Sequence, residues 1–191
     1  MTMERRIILG VSGASGAVLA WYAAKALKEQ GAELHMIVSD AARRTWEIET
    51  GRPFSDLAGL ADVIYDAHDM TAAIASGTFR TMGMLIVPCS MKTLAGIVTG
   101  YTDNSLLRAA DVCLKEGRTV VLCPRETPLG KIHLRNLCAA ADLGCVIVPP
   151  MLSFYSGQTT VEDQLHHITG KLLARFDLDY PYFHPWEGAR L

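Results

Sequence analysis

The sequence lacks the features that mark a secreted, zinc-binding or nucleic-acid-binding chain. Its five cysteines, Cys89, Cys113, Cys123, Cys138 and Cys145, are odd in number and none forms a CxxC pair. That argues against a disulfide scaffold and a zinc ribbon and fits reduced thiols in a cytoplasmic protein. No HExxH is present, and the adjacent His166 and His167 would diverge by about 100° on a helix, too far to share a metal. Positive charge is not in excess: 18 Lys and Arg stand against 20 Asp and Glu, a formal net charge of −2. There is no bulk field to hold nucleic acid or an anionic membrane, so any bound anion needs a local site. Long apolar runs are missing too, and none approaches the ~20 residues of a membrane span. The apolar stretch 7–24 behind a basic start looks like an export signal, but Ser12-Gly13-Ala14-Ser15-Gly16 cuts it in two.

What is present is a core. Half of the 191 residues are hydrophobic and 20% are charged, which excludes disorder and suits one α/β domain. Unbroken apolar runs predict strands at 6–11, 33–38, 82–87, 119–123 and 145–148, with a weaker one at 63–65. Between them, helical spacing predicts helices at 17–30, 41–49, 104–116, 132–141 and 161–175, and a weak one at 70–76. Residues 51–60 read as loop. Ser39 or Asp40 can cap the second helix, Asn104 or Asp103 the one at 104–116, and Thr160 with Asp163 makes a capping box for the last. Strands without alternation, separated by helices, predict a single three-layer αβα domain. Its sheet is a parallel, doubly wound one, Rossmann-like or flavodoxin-like. The domain spans 1–176, and 177–191 form a tail.

In such a sheet, ligands lie beyond the carboxyl ends of the strands. Those ends carry Ser12 to Gly16, Ser39, Cys89-Ser90-Met91-Lys92-Thr93, Arg125-Glu126-Thr127 and the segment 151–157 with Tyr155. Hydroxyls, glycines and cations on one edge describe a pocket for a phosphorylated ligand. Gly10, Gly13 and Gly16 are spaced GxxGxxG, neither the dinucleotide GxGxxG nor a GK[ST] loop. They serve a tight strand-to-helix turn or an anion cradle. Ser90 is either a helix cap or, with Lys92 and Thr93, a phosphate or ribityl contact. Arg125, held between two prolines at a strand end, reads as a ligand contact. Arg108, Asp111 and Lys115 share a helix face, where Asp111 reads as part of a solvated stripe. Cys89 has no histidine near it in sequence and reads as core.

Five segments in order resemble a known family. They are Gly13-Ala14-Ser15-Gly16, Pro88 to Gly96, Arg108-Ala109-Ala110-Asp111 with Leu114-Lys115-Glu116, Pro124-Arg125-Glu126-Thr127-Pro128, and Phe154-Tyr155. The chain is similar, from residue 7 to about 175, to the UbiX-type flavin prenyltransferases. The resemblance implies an enzyme that joins the dimethylallyl group of dimethylallyl phosphate to N5 and C6 of reduced FMN, releases phosphate and needs no metal. It hands prenylated FMN to a UbiD-type decarboxylase. Carried over by motif, Gly13, Ala14, Ser15, Ser39, Ser90, Met91, Lys92, Thr93 and Arg125 would hold FMN. Lys115, Arg125, Tyr155 and Lys171 would hold the prenyl phosphate, and Ser15, Glu49 and Glu126 would be catalytic. Many members carry Arg where Lys171 stands; lysine keeps the charge and loses the bidentate fork. The resemblance also implies a homo-oligomer, a dodecamer, with active sites at subunit contacts.

Three other readings compete. Flavin-dependent cysteine decarboxylases carry Pro-Ala-Ser-Ala-Asn where Pro88-Cys89-Ser90-Met91-Lys92 stands, and a Pro-x-Met-Asn motif that is absent here. A non-catalytic FMN carrier would not need the cations beyond the FMN loops, and a nicotinamide dehydrogenase has different glycine spacing. The tail holds Tyr180, Tyr182, Phe183 and Trp186 among prolines. It is expected to dock on a neighbouring subunit, the alternative being that it folds back on its own domain.

Overall fold

A computed structural model describes residues 5–154, 157, 160–186 and 188. Six strands, β1 (Arg6–Val11), β2 (Glu33–Val38), β3 (Val63–Tyr65), β4 (Gly83–Cys89), β5 (Thr119–Pro124) and β6 (Val146–Ile147), form one sheet in the order β3-β2-β1-β4-β5-β6. Every pairing is parallel. Seven α-helices connect them: α1 (Val18–Glu29), α2 (Asp40–Thr50), α3 (Phe54–Ala58), α4 (Met91–Thr99), α5 (Ser105–Lys115), α6 (Lys131–Asp142) and α7 (Val161–Leu173). The chain builds outward from β1 through β2 to β3, then returns to lay β4 on the other side of β1. The loops after β1 and β4 therefore part, and a crevice opens between them.

Successive strand residues point to opposite faces, and both faces are covered. Leu9, Met36, Leu85 and Val121 pack beneath α1, α2 and α7. Ile8, Ile37, Ile86 and Leu122 pack beneath α4 and α5. A strand buried on both sides has no polar face to alternate with, which explains the unbroken apolar runs.

Among the helices expected from the sequence none covers 91–99, where the nine-residue α4 stands behind its Ser90 cap; the other misses are short elements. Five residues of the expected loop 51–60 form α3, whose Leu57 is buried. The neighbouring Trp46 donates from Nε1 to the Pro53 carbonyl at 3.1 Å. The expected helix at 70–76 shrinks to one 3-10 turn, Ala73–Ala75, and β6 has two residues rather than four. One turn cannot display a helical period, so tertiary packing decided these segments. Among the described residues no helix is long and apolar enough to cross a membrane.

The tail begins at Asp177, whose φ of 53° turns the chain out of the 3-10 turn Ala174–Phe176. The first half of the tail is seated on its own chain. Tyr180 joins the core, and its hydroxyl lies 2.6 Å from Nδ1 of His166. Phe183 fills the space that the missing side chain of Gly170 leaves open; a Cβ there would stand 2.2 Å from the Phe183 Cβ. Tyr182 and Trp186 are exposed by 56% and 57% and are the aromatics left for an outside contact.

Candidate functional site

Two loops are stitched together where β1 and β4 part. The buried Ser12 donates from Oγ to the Pro88 carbonyl at 3.0 Å and accepts from the Ser90 N–H at 2.7 Å. It thus ties the loop after β1 to the loop after β4. Ser39 caps α2, accepting from the Ala42 N–H at 3.2 Å. Ser90 caps α4 through the Thr93 N–H at 3.2 Å and donates to the Thr93 hydroxyl at 3.1 Å. Asn104 caps α5 through the Leu107 N–H at 3.0 Å. Three positive helix ends thereby face one cavity of about 520 Å³.

The cavity brings together Gly13, Ser39, Ser90, Met91, Lys92, Thr93 and Glu126 from the sequence-derived set. Ala14 and Ser15 sit in the adjoining loop, where the Ala14 N–H donates to the Ser12 carbonyl at 2.8 Å. Arg125 follows β5, anchored by its N–H on the Cys89 carbonyl at 3.2 Å, with an exposed side chain. Glu49 reaches the start of α1. Its carboxylate accepts from the Gly16 N–H at 3.0 Å and the Ala17 N–H at 2.9 Å, at a helix start that has no side-chain cap of its own. Cys89 is buried beside this site. Desolvation drives its thiol well above the usual range, which suits a packed core group and not a nucleophile.

The expected single cluster of phosphate-binding cations does not assemble within one chain. Lys115 is the last residue of α5, paired with Glu116 at 2.7 Å in a separate depression with Arg80 and Arg118. Lys171 lies near the end of α7 in a groove with Val148, Met151 and Arg175. For Lys115 the reason is directional: a helix between parallel strands runs back toward the strands' starting edge, so the C-terminus of α5 lies far from the strand-end loops. Lys171 lies instead at the β6 edge of the sheet, beside the segment that follows β6. Arg108 and Asp111 form their own ion pair at 2.7 Å. Tyr155 lies outside the described residues. The structure adds Asp40, Arg44, Ala67, His68, Asn104 and Leu106 to the cavity wall. Of these only Asp40 and Asn104 carried a sequence signal, as possible caps.

The cavity depends on close approach at Gly13, where a Cβ would stand 2.5 Å from the Ala41 Cβ. Gly13→Val is therefore expected to push the start of α2 outward and cost about 1–3 kcal/mol of stability through overpacking. Denaturant melts check this. A variant as stable as the wild type would mean that the loop and α2 need not touch.

A doubly wound parallel sheet with a donor-lined cavity at its switch point defines a mononucleotide-binding α/β protein. Comparison with known proteins narrows this. The family model "Flavoprotein" matches residues 1–173. A probable UbiX-like flavin prenyltransferase of Sedimentibacter hydroxybenzoicus is 50% identical over 186 residues, 97% of this chain and 98% of that protein. The crystal structure of AnUbiX (PadA1) in complex with FMN and dimethylallyl pyrophosphate superposes with a TM-score of 0.95 at 43% identity, over 98% of this chain and 100% of that one. That of a dodecameric FMN-dependent UbiX-like decarboxylase from Escherichia coli O157:H7 gives 0.94 at 47% identity, covering 96% and 100%. The chain belongs to the flavoprotein family and, within it, to the UbiX-like flavin prenyltransferases.

Proposed function

We propose that this flavin prenyltransferase transfers the dimethylallyl group of dimethylallyl phosphate to N5 and C6 of reduced FMN. The observation that carries the reading is the switch-point cavity, where serine caps, Thr93 and Lys92 meet three helix N-termini. That donor set suits a phosphate and ribityl chain, and the close approach of Gly13 to Ala41 brings the loop after β1 against the start of α2 at the cavity wall. Gly13, Ala14, Ser15, Ser39, Ser90, Met91, Lys92, Thr93 and Arg125 hold FMN. N5 of reduced FMN takes the allyl carbon and loses its proton as the donor's C–O bond breaks and phosphate departs. The C6 bond then forms at the expense of the donor's double bond, which takes up a proton while C6 gives one up. Breaking the C–O bond develops positive charge on the allyl carbon and negative charge on the leaving oxygen. Ser15, Glu49 and Glu126 stand on the flavin side, where carboxylates steady the cation and accept protons. Lys115, Arg125, Tyr155 and Lys171 take the phosphate.

Lys115 and Lys171 stand away from the cavity of their own chain, so they act on the site of a neighbouring one. Exposed Ile132 and Leu134 on α6, and Met151, Leu152 and Phe154 after β6, provide apolar surface for such contacts. The working form is a closed homo-oligomer, a dodecamer like the E. coli relative. It is cytoplasmic, needs no metal, and passes its product to a UbiD-type decarboxylase.

Anaerobic incubation with reduced FMN and either dimethylallyl phosphate or the diphosphate, followed by mass spectrometry of the flavin, tests the activity. A gain of one isoprene unit is expected with the monophosphate. An unchanged flavin with both donors sinks the proposal. Lys171→Ala is expected to raise the donor KM roughly tenfold and leave FMN affinity alone, because it removes one charge-assisted phosphate contact. Lys171→Arg should tighten donor binding. Equal losses of donor and FMN affinity in Lys171→Ala would place this lysine elsewhere in the mechanism.

A further inference from the structure

The residues assigned so far leave the charge pattern of the cavity unexplained. Along the sheet edge Glu126 follows β5, Lys92 follows β4, and Arg44 projects from α2, which follows β2. Both ends of the edge carry both signs: Arg125 precedes Glu126 after β5, and Asp40 shares α2 with Arg44. The two successive arginines of α2 behave differently. Arg43 lies over the Phe54 ring, its Cζ 4.3 Å from the centroid. Arg44 lines the cavity and makes no hydrogen bond or ion pair with any described residue. The first-turn acid of the same helix, Asp40, would oppose an anion there, but its carboxylate is engaged by Nε2 of His68 at 3.2 Å. The β2 side therefore offers an uncommitted guanidinium beside a capped helix start, with Lys92 on the neighbouring helix start.

We propose that Arg44 anchors the phosphate of FMN and makes the site discriminate FMN from riboflavin. The inference rests on the reading that this cavity holds FMN. A guanidinium presents two parallel N–H donors to phosphate oxygens and stays charged at any working pH, so it supplies both grip and orientation. Lys92 opposes it from α4 as a point charge. The His68–Asp40 pair keeps the carboxylate at the α2 start from facing the phosphate unpaired.

Titration of the full-length protein with FMN and, separately, with riboflavin tests this. Arg44→Ala is expected to weaken FMN binding roughly tenfold and to leave riboflavin binding within about twofold of the wild type, since only FMN carries the group that Arg44 meets. Arg44→Lys should recover part of the FMN affinity. Arg44 is exposed, so the variant should fold, and unchanged riboflavin binding certifies that it has. Equal weakening of both flavins, or unchanged FMN affinity, overturns the assignment. A wild-type protein that binds neither flavin overturns the reading of the cavity itself, a separate failure.

Discussion

Glu49→Gln is expected to slow prenyl transfer by about a hundredfold while FMN and donor still bind, the size of loss seen when one preorganised electrostatic group is removed from a transition state. The expectation follows from two duties of the same carboxylate. Its oxygens accept from the Gly16 and Ala17 N–H groups and so cap α1 from 32 residues away in sequence, where Ala17 offers no side chain to do so. That holds the Ser15 loop in place. The same negative charge lies beside the loop proposed to meet the flavin, where it favours positive charge on the allyl carbon. Glutamine keeps an acceptor oxygen for the cap and loses the charge, so it separates the duties. Single-turnover rates and a melting curve on one sample decide. A slow variant with a wild-type melt assigns the charge to the chemistry. A wild-type rate confines Glu49 to its capping role, and Glu49→Ala would then lower stability alone.

That cap also shows where sequence reading stops. β1, β2, β4 and β5 were legible because burial on both faces leaves nothing but apolar residues, and Thr160 with Asp163 was legible because both partners of its box lie three positions apart. The strand-end motifs were legible as a site because a parallel sheet gathers its carboxyl ends at one edge. Glu49 capping α1 joins two elements that no local pattern connects. Arg44 and His68 sit in no motif and reach the cavity only because α2 and the loop after β3 flank it. Lys115 ends a helix that returns from the ligand edge, so topology alone sends it to the far side of its own chain. The family's motifs preserve chemistry across subunits and say nothing of which chain supplies which residue. In the tail, Tyr180 joins the core while Tyr182 and Trp186 stay more than half exposed, a division that no local pattern in the sequence marks.

Ending the chain at Asp177 is expected to destabilise the domain itself, whatever it does to assembly. The cut removes Tyr180, which is 8% exposed and part of the core beneath α1 and α7, and Phe183, which fills the groove over Gly170. Losing buried aromatics typically costs about 3–5 kcal/mol each when the site does not collapse. Phe183 is only partly covered, so a total near the cost of one, about 4 kcal/mol, is the reasonable sum. In a chain of this size that lowers Tm by roughly 10 °C. The hydroxyl of Tyr180 adds to the loss, because its removal strips His166 of a partner at 2.6 Å. Tyr182→Ser with Trp186→Ser, in the full-length chain, is the contrasting variant. Both residues are more than half exposed, so stability should change by less than about 1 kcal/mol, and any shift in oligomeric state reports an outside contact of the tail. Light scattering beside the melts reads both effects. If the truncated chain melts with the wild type, Tyr180 and Phe183 are not core residues. If it is destabilised while the double variant assembles normally, the tail closes its own domain and the oligomer stands on other surfaces.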